Sequence, residues 1–247
     1  MENYINPFTG WSFNRIFGLP CNKALLVRFL NDVLDGELVI RNLTYLSRDI
    51  LRQHASMSAI DAEVLCMTDQ GVFINLAILN HHQESFWSHV SARFSALILD
   101  QIKRGVYFHR LKPVYSIFLF NFQPFDKQLV DFRTDVASSS IQNGHAFNLL
   151  HRETILVLPK FDICTSEQCV RGLDRWIFAL KQMEKADHLP FINREEVFRR
   201  LESICRYNDL SEPDREAYEK SRRSYAEAHY PWSLHTRWTS TNFLWKL

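Results

Sequence analysis

Residues 114–122 read Val-Tyr-Ser-Ile-Phe-Leu-Phe-Asn-Phe, a nearly continuous apolar run. A segment of that length with apolar side chains at both odd and even positions predicts a central β-strand buried on both faces. Two buried faces need a cover on each side, and the flanking periodicities offer one. Asn22 to Leu34 sets Leu25, Leu26, Phe29, Leu30 and Val33 on one helical stripe, with Asn22 to cap it and Gly36 to end it. Gln83 to Arg104 repeats Phe86, Val90, Phe94, Leu97 and Ile98 at helical spacing. Between these helices, Glu37 to Leu46 alternates as a strand. Ala59–Met67 and Val72–Leu79 flank the turn Thr68-Asp69-Gln70-Gly71 as a hairpin.

Extended segments near Leu129–Val136 and Phe147–Leu158 flank an Asn143-Gly144 turn signal. From about Gln168 the chain turns helical, with Val170, Leu173, Ile177 and Leu180 on one stripe. Asn193 with Glu196 reads as a capping box for a second helix, and Ser211 caps a third that runs to about Ala228. This order predicts an α/β sandwich whose mixed sheet is led by hairpin-connected strands.

Composition narrows the function classes. The 247 residues suffice for one large domain, and the seven glycines include no pair spaced for a GxGxxG or Walker A phosphate loop. A formal net charge of +1 neither demands nor forbids nucleic acid, because a local basic face can sit on a neutral protein. Five cysteines at irregular spacing, with no second close pair to complete a zinc site, read as reduced structural thiols. No secretory signal is visible, and no apolar run approaches the roughly 20 residues that cross a bilayer. A cytoplasmic protein without membrane contact is therefore expected.

The hairpin holds the functional question. Asp61 and Glu63 share one face of its first strand, whereas the second strand carries no charge and shows Asn75, Ala77 and Leu79 on its alternating face. The chain also carries YINPFT at 4–9 with Phe13 and Phe17-Gly18, NKALLVRFLN at 22–31, NLTYL at 42–46, Gly71, and Ile98 with Gln101. Gly105, LKPVYSI at 111–117, LPKF at 158–161, DRWIFALK at 174–181 and EAYEKSRRSY at 216–225 follow. In this order and spacing the sequence resembles the PD-(D/E)XK nuclease-fold transposases, also called recombination-promoting nucleases. The likeness spans nearly the whole chain and leaves out only the aromatic tail. It implies a restriction-endonuclease-like sandwich, a mixed β-sheet flanked by helices, over residues 1–186. A helical extension at 187–228 would pack on it, followed by a tail at 229–247 with Trp232, Trp238 and Trp245.

The resemblance further implies DNA cleavage with Mg²⁺ or Mn²⁺. A hard cation takes carboxylate oxygens from two adjacent strands, grips the scissile phosphate and activates a water. A polar side chain two residues after the second acid places that water or stabilises the developing charge. The implied pattern is an Asp on the first strand, Glu-x-Gln on the second, and an acid by the N-terminal helix. With Cys66 and Gly71 as register marks, those positions fall on Glu63, Ala77, Leu79 and Gly10 here, and a polar run expected ahead of the first strand falls on Met57-Ser58-Ala59.

The leading expectation is thus a degenerate member, a pseudoenzyme that keeps the fold, has lost cleavage and needs no cofactor. It would act as a binding module for double-stranded DNA, a second copy or a related subunit. An alternative is an active Mg²⁺- or Mn²⁺-dependent endonuclease with a rearranged site of Asp61, Glu63 and Glu84, in which Asp61 and Glu63 hold the metal. A third is a protein-interaction module built on the tail. Each feature also has a plainer reading: Asp61 and Glu63 meeting solvent or an Arg, and Glu84 favouring the positive end of its helix. His81 and His82 leave the strand in opposite directions, so they do not share a metal. Lys103-Arg104, Arg199-Arg200 and Arg222-Arg223 are solvated helix faces or phosphate contacts.

Overall fold

The computed structural model describes residues 3–47, 49, 60–124, 129–139 and 146–229. Helix α1 (Gly10–Phe13) is capped by Thr9, whose Oγ1 accepts from the Ser12 amide, and passes through a π-helical turn (Asn14–Gly18) toward α2 (Lys23–Leu34). A sheet of β1 (Leu43–Tyr45), β2 (Ala62–Thr68), β3 (Phe73–Leu79), β4 (Val114–Phe120), β5 (Arg133–Ser139) and β6 (Ala146–Val157) follows, in the order β1-β2-β3-β4-β6-β5. β1, β2 and β3 form an antiparallel meander. The crossover helix α3 (Phe86–Lys103) returns the chain so that β4 runs parallel to β3; β6 is parallel to β4, and β5 lies antiparallel on the edge. Helices α4 (Gly172–Gln182), α5 (Glu196–Cys205) and α6 (Glu212–His229) complete an α/β sandwich.

Every residue of β4 is buried, as its two-sided apolar run predicts. Phe118 and Phe120 join Ala77, Leu79, Phe86 and Val90 beneath α3, while Tyr115, Ile117 and Leu119 join the larger core shared with α2 and α4. That core centres on Trp176, which has no exposed surface, packs against Phe17, Phe29 and Phe198, and donates its Nε1–H to Asp32 at 3.0 Å.

Several expected boundaries move for local reasons. The strand expected from Glu37 shrinks to Leu43–Tyr45 because Asn31 takes both backbone groups of Ile40, at 2.8 and 2.9 Å, and so removes it from any ladder. Asn22 does not cap α2; its amide donates to the Arg15 carbonyl and accepts from Arg200. Asp35 at φ 45° and Gly36 at φ 87° turn the chain away after α2. Val170 precedes α4 and is 81% exposed; Leu173, Trp176, Ile177 and Leu180 form the buried stripe instead. Asn193 lies in a turn ahead of α5, so the expected capping box is not formed. Glu195 stands at the N-cap, and its carboxylate binds Arg28 and Arg175 rather than the helix. Ser211 does accept from the Asp214 amide at 3.3 Å at the start of α6. Met57-Ser58-Ala59, Asn143-Gly144 and the tryptophans of the tail lie outside the described residues.

Helices α5 and α6 pack on the N-terminal segment, where Ile5 donates to the Cys205 carbonyl and Tyr218 accepts from the Asn6 amide. At this junction the Tyr4 hydroxyl donates to Glu202 at 2.5 Å. Burial pushes the Glu202 carboxyl up, but hydrogen bonds from Tyr4, His188 and Arg206 outweigh it and leave the group below the ordinary carboxylate range. A depressed carboxylate pKa contributes stability above its unfolded value of about 4.3 and loses it as pH falls through the folded value. Tyr4→Phe is expected to cost about 2 kcal/mol at neutral pH and less at acid pH, measured by urea unfolding across pH 3–7. A loss equal at both ends would exclude this linkage.

All five cysteines are free, and burial pushes the Cys66 thiol up to about 12, so it stays protonated. Among the described residues no helix is long and apolar enough to cross a membrane.

Candidate functional site

The β2–β3 hairpin sets Glu63 directly opposite Ala77, both on the face that α3 covers. Asp61, just before β2, donates its backbone N–H to the Ile78 carbonyl. The two acids flagged in the sequence have different partners. Asp61 Oδ2 accepts from the Asn80 amide at 2.7 Å, with His81 Nδ1 3.8 Å away. Asn80 in turn bonds the Phe8 carbonyl and Asn121, and Asn121 donates to the Tyr225 hydroxyl of α6. The end of the hairpin is therefore tied to both the N-terminal segment and the last helix.

Glu63 has a stronger partner. Arg93, from the middle of α3, reaches down onto the sheet and donates Nε and Nη2 to the two carboxylate oxygens at 3.1 and 3.2 Å. The Arg93 side chain is 6% exposed and that of Glu63 11%. A two-pronged guanidinium–carboxylate contact this buried neutralises the carboxylate. An open cavity of about 150 Å³ borders Glu63 on the side of β1 and the π-helical turn.

Ala77 and Leu79 are fully buried among Phe86, Val90, Phe118 and Ile155. Neither offers an oxygen, and the packing around them is apolar. Gly10 lies beside the hairpin; a Cβ there would stand 3.2 Å from the Asp61 carbonyl and 3.9 Å from Ser221 Oγ of α6. Glu84, ahead of α3, is exposed and makes no hydrogen bond or ion pair among the described residues. With Leu79, His82 and Trp87 it rims a small apolar cavity of about 70 Å³. His82 packs edge-on to Phe122 while His81 faces Asp61, so the two rings diverge.

Further along the same face, Asn75, Ser116 and Glu153 sit side by side on β3, β4 and β6 and are buried. Glu153 lies 2.8 Å from His151, whose ring stacks on Phe94 of α3 at 4.2 Å. The Asn75 amide has no hydrogen-bond partner among the described residues.

A family model described as PD-(D/E)XK nuclease family transposase matches residues 7–231. The chain belongs to that family. No curated protein and no solved structure matches it. The meander followed by a crossover helix and a parallel strand is consistent with the nuclease fold of that family.

The donor set at this hairpin does not fit a divalent cation. Such an ion takes several oxygens at about 2.0–2.6 Å, carboxylates foremost. Here Glu63 is committed to Arg93, Asp61 to a backbone amide, and the second strand presents Ala77 and Leu79. Among the described residues no group of three His, Cys, Asp or Glu is placed to hold a metal ion. The sequence marks Arg93 by its position alone. It falls three residues after Val90 and four before Leu97, on the apolar stripe of α3, where an arginine is buried only when a partner waits beneath it.

Proposed function

We propose that this PD-(D/E)XK transposase-family protein has lost metal-dependent cleavage and persists as a binding module, with DNA or another protein chain as its partner. The observation that carries the reading is the buried Glu63–Arg93 pair. A guanidinium fixed on the first acid supplies the charge a metal would bring, but it has no water ligand to activate and no open coordination position. The apolar Ala77 and Leu79 remove the second acid and the group that would polarise water. Each tenfold of rate is about 1.4 kcal/mol of transition-state stabilisation, so losing a metal ligand and a charge-placing group together forfeits several powers of ten.

The test is incubation of the full chain with supercoiled plasmid and millimolar Mg²⁺ or Mn²⁺. The expected result is no nicking above a protein-free control, together with no heat of binding when Mn²⁺ is titrated in a calorimeter. Robust nicking that disappears in Asp61→Asn or Glu63→Gln would overturn the reading in favour of a working endonuclease with a rearranged site.

A further inference from the structure

At the far end of α3 the chain builds a second surface. The helix closes with Gly105 at φ 85°, whose amide donates to the Ile102 carbonyl, while the Val106 amide reaches back to Gln101. The loop that follows is fastened at its neck. Gln101 is 2% exposed; its Nε2 donates to the Lys112 carbonyl at 3.0 Å and its Oε1 accepts from the Lys112 amide at 2.8 Å. One side-chain amide thus stands in for a neighbouring strand and closes the loop of residues 104–111 that follows α3.

What this loop presents is unusual for surface left without a cover. Tyr107 is 69% exposed and Phe108 77%. Around them lie Lys103, Arg104, His109, Arg110 and Lys112, all exposed, and no Asp or Glu occurs from Gln101 to Phe125. Arg104 pairs with Asp100, but Lys103, Arg110 and Lys112 join no ion pair among the described residues. Lys112 lies beside Gly71 of the β2–β3 turn, and the basic residues of the patch outnumber its acids.

We propose that this loop is a binding surface for single-stranded nucleic acid. Outward rings, Phe108 and the Tyr107 ring that stacks on His109 at 5.9 Å, stack on bases whose faces are free, and the interleaved cations follow the phosphates. Bases in an intact duplex do not offer those faces. A second copy of the chain would bring the same positive charge against it. The surface is separate from the hairpin site: β4 begins just after the loop, at Val114 opposite Phe73, four residues or about 13 Å along β3 from Ala77. The inference shares with the proposed function only the class of partner and does not depend on the loss of cleavage.

The experiment is fluorescence anisotropy of the full chain with a labelled oligothymidylate of about 20 nucleotides, with a chelator present to suppress any cutting. Tyr107→Ala and Phe108→Ala are each expected to weaken binding about fivefold or more. The triple change Lys103→Gln, Arg110→Gln and Lys112→Gln is expected to reduce the slope of log affinity against log salt by about 2. All five positions are exposed, so circular dichroism should be unchanged and folding does not confound the result. Variants that bind like the parent chain, or a duplex of the same length bound as tightly as the single strand, overturn the proposal. Metal-dependent nicking by a chain whose oligonucleotide binding fails in these variants would sink the inactive reading and support this one. Unchanged binding without nicking does the reverse.

Discussion

Arg93→Met is expected to destabilise the protein by about 3–5 kcal/mol, because it leaves Glu63 as an unpaired charge beneath α3. The size follows from an asymmetry. A buried ion pair contributes little net stability, since burying two charges offsets most of their attraction, but removing one partner leaves the full desolvation cost of the other. The double variant Glu63→Leu/Arg93→Met should therefore recover most of the loss, because both groups become apolar in a site already lined by Leu65, Val90 and Leu97. Urea unfolding of the four chains gives the coupling energy directly. Additive losses would mean that the two side chains do not depend on each other, and Arg93 would no longer account for the state of Glu63.

The hairpin and β4 were legible in the sequence because strand periodicity is a local property and their faces are uniformly covered. Family likeness placed Glu63, Ala77 and Leu79 at the positions expected for two acids and a polar group, and in the sheet Glu63 pairs with Ala77. The occupant of the site was less visible. Arg93 lies thirty residues from Glu63 and meets it only because α3 crosses back over the sheet. Periodicity marks a helical position as buried without saying which charge it answers. Non-local competition also moved an expected strand and an expected cap: Asn31 captures Ile40, and Asn22 is drawn to Arg15 and Arg200 rather than to its own helix. Propensity describes what a segment offers, and these side chains accepted a better partner from elsewhere in the fold.

An acid placed at residue 77 should be more damaging still. Ala77→Glu puts a carboxylate at a position with no exposed surface, paired across the ladder with Glu63 and flanked by Phe118 on β4. Directly opposite residues have Cβ atoms about 5 Å apart, so the two acids would face each other under one guanidinium. Overpacking and a second buried charge together predict a loss of more than about 4 kcal/mol at neutral pH. Burial beside a like charge raises the pKa of the new carboxyl in the folded state. Its penalty is then greatest well above the unfolded value of about 4.3 and shrinks as pH falls toward it, so the gap to the parent chain should narrow at pH 4. Manganese tests whether a guanidinium and a cation compete for this carboxylate. A cation that binds only the native state raises its stability by mass action. With Arg93 in place, Mn²⁺ should leave the melting temperature of Ala77→Glu unchanged. With Arg93→Met added, Glu63 and residue 77 face an uncompensated negative space, and Mn²⁺ should raise it. Stabilisation by Mn²⁺ in the single variant would show that Arg93 does not keep a metal out, and that the guanidinium and the cation are not alternative partners of the same carboxylate.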